Sequence, residues 1–319
     1  MLLTLYQCWE KLVMFFGHRF LLLFSIKCLV VGVVLLSLFL FVLYNRSQLR
    51  KKTNLQLEKQ NAIIEEKNKD ITDSINYARR IQDAILPTIE LKERIFPNSF
   101  ILYLPRDIVS GDFYWFTEKN GKRVIAAVDC TGHGVPGAFM SMIGNAFLNE
   151  IINERGVTQP SEILNLLRSN VVNALKQSGG ENENKDGMDI SLCSFSEDFS
   201  SVEFAGAFNP MWLVRNGEVK VYAADKEPVG FQSATSTPFT NHTIELQKGD
   251  TIYIFSDGYA DQFGGPKGKK FKYSFFQQTL LSIQGKKMGE QERILLQTLT
   301  DWRGNLEQVD DIIVIGVRV

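Results

Sequence analysis

The pattern of apolar and polar positions divides the chain into stretches of different character. Residues 20–44 are apolar apart from a few small or polar side chains and one charge, Lys27, and an apolar helix of this length is sufficient to cross a bilayer once. Residues 45–87 are rich in Lys, Glu, Asn and Gln, with neither Gly nor Pro before Pro87, which predicts one long helix. From residue 88 to residue 319, short apolar runs separated by turn residues predict a folded domain.

Charged residues on either side of the apolar stretch predict its orientation. Four basic residues between 46 and 52 follow it, whereas Lys11, Arg19 and Lys27 precede or enter it. The balance favours a single-pass protein of the cytoplasmic membrane with its C-terminal domain in the cytoplasm. Residues 1–19 are aromatic and amphipathic, and we expect them at the membrane interface. A buried core helix is seldom so uniformly apolar, and a cleaved signal peptide is disfavoured by the length of the run.

A heptad pattern within residues 45–87 predicts a parallel homodimer. Its d positions are apolar, and three of its a positions are Asn. The d positions are Leu57, Ile64, Ile71, Ala78 and Ile85, and the a positions are Asn54, Asn61, Asn68 and Ile75. Asn at a weakens a coiled coil while it fixes the register and favours a pair of helices. A solvated single helix is the alternative interpretation.

Residues 88–319 contain many short strands and few helices. A strand, a loop and a second strand are predicted within 100–116, and a polar loop is predicted at 178–187. Helices are predicted at 135–154, 160–177 and 273–300, and further strands at 188–195, 201–207, 211–222 (a hairpin that turns at Asn216-Gly217), 242–247, 250–258 and 310–319. Hairpin-linked strands with helices grouped elsewhere predict an α+β fold in which helices cover antiparallel sheets.

Composition excludes several classes of function. The formal net charge of the 319 residues is −1, so no global charge indicates a nucleic-acid partner. The four cysteines, Cys8, Cys28, Cys130 and Cys193, form no C-x-x-C pair and no disulfide-like spacing. The three histidines include no H-E-x-x-H motif, which argues against a His-rich zinc hydrolase.

Four short acidic motifs carry the candidate chemistry. They are Ser110-Gly111-Asp112, Asp129-Cys130-Thr131-Gly132-His133-Gly134, Ser256-Asp257-Gly258-Tyr259-Ala260-Asp261 and Asp310-Asp311. Each motif places an Asp beside an apolar, strand-like run. A single Asp beside Gly more often belongs to a turn than to a metal site. Four together predict carboxylates that meet in space and repel one another unless a divalent cation neutralises them.

The motifs D-I-V-S-G-D-F-Y-W, D-C-T-G-H-G-V-P-G-A, F-S-D-G-Y-A-D-Q and Q-V-D-D-I resemble those of the metal-dependent protein phosphatase 2C (PPM) family. The chain is most similar to its SpoIIE and RsbU-type bacterial regulatory branch, from about residue 75 to residue 319. The resemblance implies two packed antiparallel sheets flanked by helices. It also implies two Mn²⁺ or Mg²⁺ ions, and a third in some relatives, at one edge of the sandwich.

The same resemblance implies a set of metal ligands. Asp129 would bridge the two ions. Asp112 and the backbone carbonyl of Cys130 would complete one metal site, and Asp257 and Asp310 would hold the other.

Four further residues are candidates for this site. Asp261 matches an acidic position that supports the site or a third ion in some relatives, and Asp311 competes with Asp310 as the ligand. His133, a candidate general acid, stands four residues after Asp129 instead of two, so a role in the loop is the alternative. Arg106 is a candidate phosphate contact, with a surface role as the alternative.

The resemblance implies a serine/threonine phosphatase that hydrolyses phosphoserine or phosphothreonine through a water activated by two ions, and the apolar stretch at 20–44 predicts that it is anchored in a membrane. The resemblance also implies a phosphorylated regulatory protein as substrate, such as an anti-sigma-factor antagonist. A non-catalytic adaptor that binds phosphoproteins with the same fold is the alternative, and a metal-dependent hydrolase of small phosphoesters is a third hypothesis. The loop 264–272 carries four lysines and is expected either to recruit a phosphoprotein or to be solvated.

Overall fold

The computed structural model describes residues 1–178, 185–230 and 237–319. Most of the polar loop predicted at 178–187 therefore lies outside the described residues. The chain forms two compact units, Met1–Ile71 and Thr72–Val319.

A single helix, α1, runs over Leu2–Ile85 and accounts for the first unit. By length and composition it is able to cross a membrane. In the first unit the helix packs against no other element, and the predicted d-position side chains of Leu57 and Ile64 are 54% and 55% exposed. Among the described residues, these apolar side chains are therefore not covered by another element.

The second unit begins in the last turns of α1 and contains all the remaining elements. The further helices are α2 (Ile89–Ile95), α3 (Gly134–Leu148), which continues into a π-helical turn (Asn149–Glu154), α4 (Pro160–Ala174), α5 (Gly258–Asp261), α6 (Tyr273–Ser282) and α7 (Met288–Arg303). The strands are β1 (Ser99–Leu104), β2 (Phe113–Lys119), β3 (Lys122–Cys130), β4 (Met188–Ser196), β5 (Ser201–Ala207), β6 (Met211–Arg215), β7 (Glu218–Tyr222), β8 (His242–Glu245), β9 (Thr251–Phe255), β10 (Phe263–Gly264), β11 (Lys269–Lys270) and β12 (Ile312–Arg318).

Two five-stranded antiparallel sheets organise this unit. The first has the strand order β1-β12-β9-β6-β7, and the second has the order β2-β3-β4-β5-β8. Strands β6 and β7 form the predicted hairpin, whose turn residues Asn216 and Gly217 both have positive φ, 52° and 80°. The predicted α+β architecture of packed antiparallel sheets is confirmed.

Apolar side chains on both faces of each sheet form three layers of core. In β12, Ile313 and Ile315 point between the sheets, whereas Ile312 and Val314 pack under α5–α7. Neighbouring residues of a strand point to opposite faces, so a strand covered on both faces is apolar at every position. Helices α3 and α4 cover the outer face of the second sheet in the same way. The unit therefore has four layers, with helices outside both sheets.

One predicted helix is two helices in the structure. The pattern at 273–300 predicts a continuous helix, but α6 ends at Ser282 and α7 begins at Met288. The interruption contains Gly285, whose conformational freedom disfavours the helix interior. Both helices pack on the same sheet, so their apolar residues follow one continuous pattern across the break.

Candidate metal centre

Strand register brings the acidic motifs to one edge of the sandwich. Phe113 pairs with Val128, so Asp112 at the start of β2 lies beside Asp129 near the end of β3. In the other sheet, Val314 pairs with Phe255 across β12 and β9, which places residues 310–311 beside residues 257–258. Rigid strand ends therefore hold all four motifs.

The structure adds one carboxylate that the sequence reasoning missed. Asp189, the second residue of β4, pairs directly with Asp129 across β3 and β4. Its signal in the sequence is the same as that of Asp310, an acidic residue at the beginning of a buried apolar strand. Asp189 lies inside the predicted strand 188–195, directly after a polar loop, so the pattern does not single it out as a residue at a strand end.

The electrostatics of these carboxylates shows strong mutual influence. Burial, followed by the charge of Asp129, raises the pKa of Asp112 well above its ordinary value. Burial, followed by the charges of Asp257 and Asp189, raises the pKa of Asp129 in the same way. Burial and the charge of Asp257 raise the pKa of Asp189 to about 7. Burial, followed by the charges of Asp261 and Asp310, raises the pKa of Asp257 to about 6. The cluster repels its own negative charge.

The donor set fits a hard divalent cation. Asp112 Oδ2 is buried and has no hydrogen-bond partner among the described residues, although an unsatisfied buried carboxylate oxygen is costly. Carboxylate oxygens are the ligands that Mg²⁺ and Mn²⁺ prefer. In the part of the chain that the structure describes, no three His, Cys, Asp or Glu side chains are already grouped as a metal-binding cluster. The carboxylates therefore influence one another's pKa values without forming a preassembled group of ligands among these residues.

Close packing of glycines positions the loops of the first two motifs. A Cβ atom on Gly111 would lie 2.4 Å from the carbonyl oxygen of Gly132 and 3.3 Å from that of Cys130. Only glycine permits this approach, which brings the carbonyl of Cys130 beside the loop that carries Asp112.

Asp310 and Asp311 have different surroundings. The two carboxylate oxygens of Asp311 accept the backbone N–H groups of Arg106 and Gly111, each at 2.7 Å, and its side chain is buried. The side chain of Asp310 is exposed, and its charge contributes to the raised pKa values of Asp112 and Asp129. The charge of Asp311 contributes to the raised pKa of Asp112 as well. Asp311 therefore fixes the loop at 106–111, and Asp310 is the member of the pair whose side chain stays exposed beside the cluster.

Arg106 and His133 both lie beside Asp310. The Arg106 guanidinium donates from Nη1 to the carbonyl of Val309 at 2.9 Å. His133 precedes α3, and its Nδ1 lies 2.7 Å from Asp107 Oδ2. The positive charges of Arg106 and His133 oppose the rise in the pKa of Asp310, which burial produces. Both side chains stand at the rim of the cluster, and their roles remain predictions.

Asp261 lies one helical turn after Asp257 and is tied to a lysine. Its Oδ2 atom pairs with Nζ of Lys270 at 2.5 Å. The charge of Asp261 still raises the pKa of Asp257, so it belongs to the same electrostatic neighbourhood.

Tyr273, a second residue that the sequence reasoning missed, stands at the same edge. Its ring contacts Trp212 and Phe255, with centroids 5.9 Å and 6.0 Å away. Burial, and then the charges of Asp257 and Asp261, raise the pKa of its hydroxyl. No sequence pattern connects Tyr273 with the acidic motifs, because α6 reaches the site only through the packing of its aromatic residues.

The end of α1 contacts the loop that carries Asp112. Gln82 is the buried residue of this helix, and its Nε2 donates to the Ser110 carbonyl at 2.6 Å and to Ser141 Oγ at 2.8 Å. Its Oε1 accepts the N–H of Ser110 at 3.0 Å. The helix is thus joined by hydrogen bonds to a backbone that lies two residues from Asp112.

Comparison with known proteins agrees with this arrangement. The sequence profile of the SpoIIE family (Stage II sporulation protein E) matches residues 119–319. No functionally curated protein matches the chain. Among solved structures, the SiaA-PP2C domain of Pseudomonas aeruginosa is 32% identical, with a TM-score of 0.71, over 79% of this chain and 98% of that domain.

Two more distant structures share the fold. The PP2C phosphatase domain of SpoIIE from Bacillus subtilis, solved with a fragment of its regulatory domain, is 21% identical with a TM-score of 0.55; the match covers 69% of this chain and 61% of that one. The RsbU and RsbW domains of a Mycobacterium tuberculosis protein are 21% identical with a TM-score of 0.54, over 70% of this chain and 60% of that one. The chain belongs to the SpoIIE family and carries the fold of the PP2C phosphatases.

Proposed function

We propose that this protein is a membrane-anchored, Mn²⁺- or Mg²⁺-dependent phosphatase of phosphoserine and phosphothreonine in a regulatory protein. The observation that carries the proposal is the convergence of Asp112, Asp129, Asp189, Asp257 and Asp310, with an unsatisfied buried oxygen on Asp112. Bound divalent cations would neutralise the repulsion between these carboxylates when they are ionised.

The proposed ligand roles come from the resemblance to the phosphatase 2C motifs. Asp129, whose pKa is raised by several of the other carboxylates, would serve both ions. Asp112 and the Cys130 carbonyl would complete one site, and Asp257 and Asp310 would hold the other. Asp189 and Asp261 lie at the periphery, where they would support the cluster or hold a third ion.

The chemistry needs no nucleophilic side chain. When bound, two divalent ions supply an activated water and neutralise the charge of the phosphoryl oxygens. The nearest thiol, that of Cys130, is buried, and burial raises its pKa, so it stays protonated. Asp107 holds Nδ1 of His133, which leaves Nε2 free to donate a proton to the departing seryl oxygen. The remaining N–H groups of Arg106 are available to a phosphoryl oxygen.

Two further parts of the proposal concern context. The apolar first half of α1 supports a membrane anchor, with the phosphatase unit in the cytoplasm. Relatives with RsbU and RsbW domains in one chain support a regulatory protein as the substrate, such as an anti-sigma-factor antagonist.

Phosphate release tests the proposal. The full chain in detergent micelles is mixed with a phosphoserine peptide and either Mn²⁺ or EDTA, and a phosphotyrosine peptide serves as the control. We expect Mn²⁺-dependent release from phosphoserine and little from phosphotyrosine. Binding of the phosphoserine peptide without release would favour the adaptor instead.

A further inference from the structure

A short basic hairpin lies directly beside the metal centre. Strands β10 and β11 pair through Phe263 with Lys270 and Gly264 with Lys269. We call residues 263–272 the basic hairpin. Its four lysines are exposed: Lys267, Lys269, Lys270 and Lys272.

Contacts with α7 and α5 fix the hairpin in place. The N–H of Gly265 donates to the carbonyl of Trp302 at 2.7 Å, and the Phe271 and Trp302 rings pack edge to face at 5.3 Å. A Cβ on Gly264 would lie 2.0 Å from the same carbonyl oxygen, so the two backbones touch. The N–H of Lys272 donates to the carbonyl of Ala260 at 2.7 Å. The hairpin therefore holds a fixed position next to residues 257–261.

The lysines of the hairpin have unequal partners. Lys270 is paired with Asp261, and its charge opposes the rise in the pKa of Asp257. The ammonium groups of Lys267, Lys269 and Lys272 make no ion pair or hydrogen bond in the described ranges. Because the hairpin is anchored next to residues 257–261, these three exposed cations stay within one short hairpin of the acidic cluster.

The charges at this rim suit an anionic macromolecule. Bound divalent ions would cancel the negative charge of the cluster, so the surrounding surface would be governed by the unpaired lysines. A phosphoserine that enters the centre brings its neighbouring residues across this rim. Lysines at this surface attract a phosphorylated segment whose flanking residues are acidic. They repel a segment whose flanking residues are basic.

We propose that the basic hairpin is the docking surface for the phosphorylated segment of the protein substrate, and that Lys267 and Lys269 select acidic residues that flank the phosphoserine. This inference rests on the proposed phosphatase function, and it names the class of substrate sequence that the same centre accepts.

The test compares three substrates with the full chain in detergent micelles and Mn²⁺. Two phosphoserine peptides of equal length carry either Asp and Glu or Lys beside the phosphoserine, and p-nitrophenyl phosphate is a substrate without flanks. The variant is Lys267→Glu/Lys269→Glu. The control, Lys248→Glu/Lys287→Glu, makes the same charge change at two exposed lysines, one of which, Lys248, lies at the end of β9 away from Asp257.

We expect the KM for the acidic peptide to rise about tenfold in the hairpin variant and the KM for the lysine peptide to fall, because the charges across the interface are reversed. The kcat/KM for p-nitrophenyl phosphate should not change, and the control variant should behave as the wild type does. High salt should reduce the difference in KM between the acidic peptide and the lysine peptide, because it screens the charges. An equal loss with all three substrates, or an unchanged peptide preference, would overturn the inference.

A binding measurement separates this inference from the proposed function. If the wild type releases phosphate from none of the substrates, the phosphatase proposal fails. Fluorescence anisotropy of a labelled acidic phosphoserine peptide then still reports docking. Binding about tenfold weaker in the hairpin variant than in the control supports the docking surface, and equal binding by the two refutes it.

Discussion

At the scale of single residues, Asp310 and Asp311 show how neighbouring carboxylates acquire different roles. Asp311 accepts two backbone N–H groups and is 2% exposed, so its charge is satisfied by the protein itself. The carboxylate of Asp310 accepts the N–H of Asp311, and its exposed side chain lies near the other carboxylates. The sequence could not distinguish the two, because the distinction depends on the loop at 106–111, about 200 positions earlier.

We predict opposite effects for the two Asn substitutions. Asp311→Asn should lower the free energy of unfolding by about 1.5–3 kcal/mol, because a charged acceptor of two buried hydrogen bonds is lost. Asp310→Asn should leave stability intact but reduce Mn²⁺-dependent phosphate release about 100-fold or more. Chemical denaturation and phosphate release on both variants check this. The assignment fails if Asp311→Asn is the inactive, stable variant.

The raised pKa values of the cluster predict a pH dependence for the metal-free protein. The pKa values of Asp257 and Asp189 are about 6 and about 7 instead of 3.8. The folded state therefore binds protons more tightly than the unfolded state. Their contribution to stability is complete below pH 3.8 and is lost as the pH rises through about 7. In EDTA, we expect Tm to fall by about 5 °C between pH 5 and pH 8.

Differential scanning calorimetry with and without Mn²⁺ tests this dependence. Saturating Mn²⁺ should remove the loss of stability at pH 8, because the cations neutralise the ionised cluster. Asp189→Asn should make the metal-free protein less sensitive to pH. A metal-free Tm that increases over this range would show that the carboxylates do not repel one another.

At the scale of elements, most strands and one hairpin were predictable from the sequence, whereas the pairing of β3 with β4 and the position of α6 were not. Alternation, Asn216-Gly217 and the apolar run at 312–318 indicate the strands and one hairpin directly. The break between α6 and α7 was missed because the apolar periodicity continues across Gly285. Asp189 and Tyr273 were missed as site residues because only the pairing of β3 with β4, and the packing of α6, bring them to the cluster.

The junction between α1 and the loop of Asp112 gives a prediction at this scale. Gln82→Ala removes three hydrogen bonds and leaves the buried N–H of Ser110 unsatisfied. We expect a loss of about 1–3 kcal/mol in the free energy of unfolding and faster hydrogen exchange at the Ser110 amide. Gln60→Ala, at an exposed position of the same helix, is the control. Unchanged exchange at Ser110 would show that Gln82 does not hold the loop.

At the scale of the whole molecule, the heptad pattern of α1 predicts a second copy of the chain as its partner. Leu57, Ile64 and Ile71 are each more than half exposed in one chain, in the heptad positions that predict a parallel dimer. A dimer would present two phosphatase units on the same side of a membrane.

Crosslinking tests the dimer. In a Cys8→Ser/Cys28→Ser background, Ile64→Cys and Ile71→Cys should each form disulfide-linked dimers in membranes. Glu66→Cys, an f position of the same heptads, should crosslink much less. Equal crosslinking at all three positions, or none, would contradict a parallel pair with this register.

The central claim is that the clustered carboxylates form a divalent cation site. Isothermal titration of Mn²⁺ into the metal-free full chain measures this most directly, with Asp129→Asn as the variant and Asp198→Asn, an exposed carboxylate on another loop, as the control. We predict that the wild type and Asp198→Asn each bind at least two Mn²⁺ ions per chain, and that Asp129→Asn loses this binding. Absence of Mn²⁺ binding by the wild type, or undiminished binding by Asp129→Asn, would contradict the claim.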